Sequence, residues 1–258
     1  MRLGLVTYNM AKDWDIPTII EICTSTRFEG VELRTTHAHG VEIDLSKEER
    51  EKVRKTFEDS PVEIVGLGSA FEYHAIDPEE LRSNIEGTKE YVKLAYDVGA
   101  PGVKVRPNSF QDEAGIPREK TIEQIGLSLR ECGEFAKDYG VEIRLEVHGR
   151  ETCKVPYVKQ MMDVADHDNV FVCWNSNPTD VDESGSVKGN FELVKDKIRL
   201  LHITELWREA YGEYPYRELF SLLKGINYKG FCCAEVAGSP EPERFMKFYR
   251  ALFLAYIS

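Results

Sequence analysis

Eight times along this chain a short apolar run is followed by a longer amphipathic stretch, and that alternation limits the fold more than any other feature. The runs are Leu3–Tyr8, Gly30–Thr35, Val62–Gly68, Gly102–Arg106, Val141–His148, Val170–Asn175, Ile198–Thr204 and Gly230–Val236. The amphipathic stretches are clearest at Pro78–Val98, Arg118–Tyr139 and Pro240–Ile257. Strands joined through helices by short connections form a parallel sheet, and eight such units allow it to close into a barrel. An open doubly wound sheet usually has a glycine-rich turn after its first strand. Here Thr7-Tyr-Asn-Met-Ala-Lys-Asp-Trp14 contains none. The expectation is an α/β fold, a single (β/α)8 TIM barrel, for which 258 residues is a usual length. With no Gly/Ser linker, low-complexity run or charge block, residues 1–258 read as one domain.

The punctuation agrees with this. Asp77 before Pro78 suits an N-cap and first turn, and Gly99 and Gly140 each follow a helical stretch. Phe245, Phe248, Tyr249, Leu252, Phe253 and Tyr256 make a helical stripe expected to pack on the barrel. The 45 acidic residues against 33 basic ones leave a net charge of −12, which repels phosphate backbones and argues against a nucleic-acid partner. The six cysteines form no CxxC or secreted-type framework. Cys173, Cys232 and Cys233 fall inside strands, as expected of buried thiols in a reducing compartment. No stretch has the apolar length to span a bilayer, and Met1-Arg-Leu-Gly-Leu-Val enters a strand directly. A cytoplasmic protein with no membrane partner is expected.

Four of the runs close on a polar residue: Glu146, Asn175, His202 and Glu235, at spacings of 29, 27 and 33 residues. One strand, one helix and two short loops need about that many residues. Equivalent ends of parallel barrel strands are where such a fold keeps its chemistry. Side chains alternate along a strand, so Glu146 shares a face with His148, Arg144 and Glu142. Likewise Arg106 goes with Lys104, Asn175 with Asn177, His202 with Thr204, and Glu32 with Arg34. Two carboxylates about 4 Å apart repel by about 4 kcal/mol at an effective dielectric of 20. A proton, the Arg and Lys of the lumen, or a divalent cation offsets that repulsion, and two readings of the site follow. The ring of Glu, Asn, His and Glu holds Mn²⁺, Mg²⁺, Co²⁺ or Zn²⁺ in an open site, or the carboxylates pair with Arg144, Lys104 or Arg106 in a salt network.

The ordered set Gly30-Val-Glu-Leu33, Leu145-Glu-Val-His-Gly149, Cys173-Trp-Asn-Ser-Asn177, Leu201-His-Ile203 and Ala234-Glu235 resembles the xylose-isomerase-like TIM barrels. That superfamily takes in sugar and sugar phosphate isomerases and epimerases, some dehydratases, and endonuclease IV. The resemblance spans the whole chain. In the family's epimerases a divalent metal sits on Glu, Asp, His and Glu at these strand ends, which implies Glu146, Asn175, His202 and Glu235 here. Asn175 departs from the usual Asp. An amide oxygen still coordinates, but one negative charge is gone, which implies weaker metal retention and a more Lewis-acidic ion.

The resemblance implies a metal-dependent isomerase or epimerase of a sugar, keto-sugar or polyol, with Glu146 and Glu235 moving protons through an ene-diolate. Alternatives are a lyase or dehydratase using the same proton abstraction, and a non-catalytic sugar-binding barrel with a weakened metal site. An endonuclease IV-like activity needs a histidine-rich trinuclear zinc site, whereas only His148 and His202 lie at strand ends. Substrate-binding candidates at the same barrel end are His148, Arg106, Asn108, His74, Trp207 and Arg208, with His37 and His39 behind them. His167 reads as a solvated turn residue, and Asp180-Val-Asp-Glu183 with Gly185 as a mobile polar loop. Barrels of this kind often form homo-oligomers; no segment marks an interface.

Overall fold

A computed structural model describes all 258 residues. The strands are β1 (Arg2–Val6), β2 (Gly30–Arg34), β3 (Glu63–Glu72), β4 (Gly102–Arg106), β5 (Glu142–Glu146), β6 (Val170–Asn175), β7 (Ile198–Ile203) and β8 (Phe231–Ala234). The helices between and after them are α1 (Ile16–Thr26), α2 (Lys47–Glu58), α3 (Pro78–Val98), α4 (Arg118–Lys137), α5 (Val155–Ala165), α6 (Lys188–Val194), α7 (Tyr216–Gly225) and α8 (Pro242–Ile257). Each strand pairs in parallel with the next, and β1 pairs with β8 from Arg2 opposite Phe231 to Leu5 opposite Ala234, closing the (β/α)8 TIM barrel. No helix is long and apolar enough to cross a membrane.

The expected strands are all present, β4 and β6 with the expected bounds and the others with shifted ends. β1 stops at Val6, and β3 continues past Gly68 to Glu72, which pairs with Arg106. Glu235 lies just outside β8, yet its N–H still donates to the Ile203 carbonyl at 2.9 Å, so the ladder holds its backbone. Asp77 caps α3 by accepting from the Glu79 N–H, and Gly99 ends that helix with φ of 81°. In α8 the buried arc centres on Tyr249, Phe253 and Tyr256. That geometry brings Met246 inside and leaves Phe248 67% exposed, outside the packing stripe expected of it.

The larger apolar core fills the space between barrel and helices. A smaller cluster of Val6, Val65, Cys173, Leu200, Phe231 and Cys233 plugs the barrel interior. The polar lumen depends on missing side chains. A Cβ at Gly102 would stand 2.6 Å from Arg144 Nε, and one at Gly68 would stand 2.7 Å from Glu32 Oε1. These absences let Arg144 reach the Val65 carbonyl at 2.8 Å and let Glu32 occupy the interior.

The loop after β6 departs from the expected polar segment at its first residue, while Asp182 to Gly185 are exposed. Asp180 is 0% exposed, and its Oδ2 accepts from the Asn177 N–H at 2.8 Å and from Tyr214 Oη at 2.9 Å. Tyr214 in turn accepts from Trp174 Nε1 at 3.0 Å, while Asp180 Oδ1 has no partner. Burial pushes the Asp180 carboxyl up to about 8, so the folded protein favours its neutral form. A carboxyl raised in the fold contributes stability at low pH that is lost as pH rises through the folded value. Asp180→Asn is therefore expected to match the wild type near pH 4. By pH 8 it should exceed the wild type by up to about 5 kcal/mol, read as a widening gap in thermal midpoint. A gap independent of pH would count against the buried neutral carboxyl.

Candidate active site

β5 delivers Glu146 into the lumen, where both of its oxygens are engaged. Oε2 accepts from Lys104 Nζ on β4 at 2.7 Å. Oε1 lies 3.3 Å from Asn175 Nδ2 on β6 and 3.1 Å from His202 Nδ1 on β7. The other imidazole nitrogen, Nε2, faces Glu32 Oε2 on β2 at 3.2 Å. Glu235 adds a second carboxylate to the Nδ1 side at 3.6 Å, and this long contact is its one ion pair. The ligand atoms of Glu146, His202 and Glu235 all lie within 4.8 Å of one another.

The electrostatics separate the two glutamates. Burial works to raise the Glu146 carboxyl, but the Lys104 charge and the His202 hydrogen bond and charge overcome it and hold Glu146 well below the usual range. Burial likewise raises Glu235, and there it prevails over the attraction of His202, helped by repulsion from Glu146. Burial opposes charge on Lys104 too, yet Glu146 and Glu32 keep it raised. Burial would depress His202, and its contacts with Cys173, Glu32 and Glu146 reverse that. His148 is depressed by burial, and its Nδ1 has no partner.

These groups open on a cavity of about 90 Å³ at the C-terminal end of the strands, lined by Val6, Tyr8, Arg34, Lys104, Arg106, Glu146, His148, His202 and Glu235. Of the residues expected to hold a metal, Glu146, His202 and Glu235 line it, and Asn175 sits behind Glu146. The salt-network reading is realised in part: Lys104 pairs with Glu146, while Glu235 has no Lys or Arg partner. The donor set fits a divalent ion. Two carboxylates converge on one imidazole nitrogen, a set of donors of the kind that ligates divalent ions, and Lys104 takes the Glu146 oxygen facing away from His202.

Of the expected substrate contacts, His148 and Arg106 line the cavity. Asn108 and His74 gather instead around Glu72 at the end of β3. Asn108 Nδ2 donates to Glu72 Oε2 at 2.7 Å, His74 Nδ1 lies 3.6 Å from the same oxygen, and Arg106 Nη2 donates to Oε1 at 2.5 Å. Trp207 is 40% exposed and packs edge-on against Phe245. Arg208 bonds Thr204 Oγ1 at 3.3 Å and pairs with Glu213 at 3.4 Å, and neither residue reaches the cavity wall. His39 is spent on its own loop, between the Arg34 carbonyl and the Val41 N–H. His167 does the same for the Asn169 N–H. The alternation in Gly30-Val-Glu-Leu-Arg34 and Val103-Lys-Val-Arg106 puts Glu32, Arg34 and Lys104 on inward faces outside the ligand ring, and Arg34 and Lys104 do line the cavity. Tyr8, just past the end of β1, lines it too and carried no such signal.

Several solved structures share this architecture along the full chain. The apo 3-keto-D-glucoside 4-epimerase YcjR from E. coli superposes with a TM-score of 0.80 at 15% identity, over 99% of each chain. D-Psicose 3-epimerase from Clostridium cellulolyticum H10, solved with D-tagatose, gives 0.77 at 17% identity, over 100% of this chain and 99% of that one. The IolI protein with a bound zinc atom gives 0.75 at 17% identity, over 100% and 98%. At these identities the likeness concerns the fold. No curated protein sequence matches the chain. The xylose isomerase-like TIM barrel family model matches residues 20–251, nearly the whole barrel, and the chain belongs to that family.

Proposed function

We propose that the chain is a divalent-metal-dependent isomerase or epimerase acting on a keto-sugar. The observation that carries this reading is the convergence of Glu146 and Glu235 on His202 Nδ1 at the wall of an open cavity. Full-length likeness to 3-keto-D-glucoside 4-epimerase and D-psicose 3-epimerase, and to the zinc-bound IolI protein, supports it. Glu146, His202 and Glu235 would hold the ion, with Asn175 as a fourth ligand through its amide oxygen. When bound, the ion would supply Lewis acidity toward the substrate's carbonyl and hydroxyl oxygens.

The two glutamates then take different roles. Glu146 is clamped by Lys104 and Asn175, so it is a weak base and a fixed support. Glu235 is free of short hydrogen bonds, and its side chain is 21% exposed toward the cavity, so it abstracts the proton beside the carbonyl. Lys104 lines the same cavity as an ammonium that Glu146 and Glu32 hold charged, so it fixes the Glu146 carboxylate and does not give up its proton readily. Arg106 and His148 orient the substrate.

A lyase is the second reading, because a single unclamped carboxylate also suffices for abstraction followed by β-elimination. The test is incubation of metal-reconstituted protein with D-fructose and related ketoses in deuterated water, with and without chelator. Chelator-sensitive entry of deuterium at the carbon beside the carbonyl, with an epimer or isomer recovered, supports the proposal. Loss of water from the sugar points to the lyase. A protein with verified bound metal that binds ketoses and exchanges no hydrogen would be a binding barrel.

A further inference from the structure

Glu32 is 0% exposed, and one of its two oxygens, Oε1, has no hydrogen-bond partner. Its other oxygen lies 3.2 Å from His202 Nε2. Two features of the backbone bring it there. The β2–β3 register shifts between Val31 and Glu32, an irregularity of the kind that re-aims a side chain. Across from it Gly68 omits the Cβ that would stand 2.7 Å from Oε1. Burying a carboxylate with an idle oxygen is expensive, and a packing role alone would be met better by an apolar residue.

We propose that Glu32 is a positioning residue for His202, a role that rests on the metal reading above. It takes the Nε2–H hydrogen bond, keeps the imidazole's remaining proton on Nε2, and so turns Nδ1 toward a cation between Glu146 and Glu235. The need for such a group follows from the geometry. Nδ1 faces two carboxylates, at 3.1 and 3.6 Å, and without a competing acceptor at Nε2 a neutral ring would place its single proton on Nδ1. A proton there blocks the lone pair a metal requires. A carboxylate on the far nitrogen of a ligating histidine fixes both tautomer and ring orientation.

The test uses the full chain and Zn²⁺ or Mn²⁺ alone. Affinity is measured by calorimetry for the wild type, Glu32→Gln and Glu32→Leu, with thermal midpoints confirming that each is folded. Leu at 32 is expected to weaken metal binding about 10–100-fold. Gln, whose amide oxygen still accepts from Nε2–H, should restore binding to within a few-fold of wild type. In the Zn²⁺-loaded wild type, ¹⁵N resonances of the six histidines should include one ring ligated at Nδ1 and protonated at Nε2. A folded Leu variant with wild-type affinity overturns the inference. Equal losses in both variants overturn it too, because charge rather than orientation would then explain the effect. Failure of the wild type itself to bind either ion is a distinct result, and it removes the metal reading along with the purpose assigned here to Glu32.

Discussion

Glu235→Gln should lower turnover of whatever ketose the wild type accepts by about 10²–10⁴-fold, the range a positioned general base supplies. The size of the effect follows from the contrast between the two glutamates. Glu146 has a partner on each oxygen, whereas Glu235 has one long contact, to His202 at 3.6 Å. Gln keeps the shape and an oxygen able to coordinate, so rates are to be expressed per bound metal ion. Deuterium exchange at the substrate carbon should fall in parallel with turnover. Retention of more than a tenth of the wild-type exchange rate would move the base elsewhere, with His148 the next lining candidate.

The largest loss of stability is expected at Glu146. Lys104 and Glu146 are both buried and meet at 2.7 Å, so Glu146→Gln leaves an ammonium in the lumen without its main counter-charge. Breaking a buried pair from one side costs about 3–5 kcal/mol. Glu32 also acts on Lys104, which favours the lower end. For a chain of this length each kcal/mol moves the thermal midpoint by about 2–4 °C, so a fall of about 6–12 °C is expected at that lower end. The double variant Lys104→Met with Glu146→Leu should recover most of that loss, because apolar replacement of a whole buried pair is often neutral or stabilising. Its activity should stay lost. A single Gln variant within about 1 kcal/mol of wild type would mean that water or Glu32 already compensates Lys104.

Much of this arrangement was legible in the sequence, for a physical reason. β6 and β7 are mostly apolar and turn polar where they emerge, so Asn175 and His202 stand out as ends of runs, and Glu146 closes the alternating β5 at the same level. What could not be read depends on partners distant in sequence. Asp180 sits in a polar, glycine-containing segment that resembles a solvated loop. It is buried by Tyr214, 34 residues later, and by that residue's bond to Trp174. Asn108 and His74 carry the right chemistry at the right barrel end, yet Glu72 collects both, because β3 runs four residues further than its apolar pattern suggests. Glu32 was visible as a lumen residue, but its contact with His202 needs a register shift and an absent side chain on the neighbouring strand. Neither leaves a mark on β2 itself.

The glycines that hollow out the lumen link positions that are far apart in the chain. Glu32 fits because position 68 stops at Cα, and Arg144 crosses toward β3 because position 102 does the same. Among relatives these sites should evolve as pairs, 32 with 68 and 144 with 102. A lineage that gains a side chain at 68 should carry something shorter than glutamate at 32, and one that fills 102 should lose the long arginine at 144. Either exchange made alone would pass through a crowded intermediate. The order in which such a barrel can change its interior is therefore constrained by what the glycine positions permit at each step.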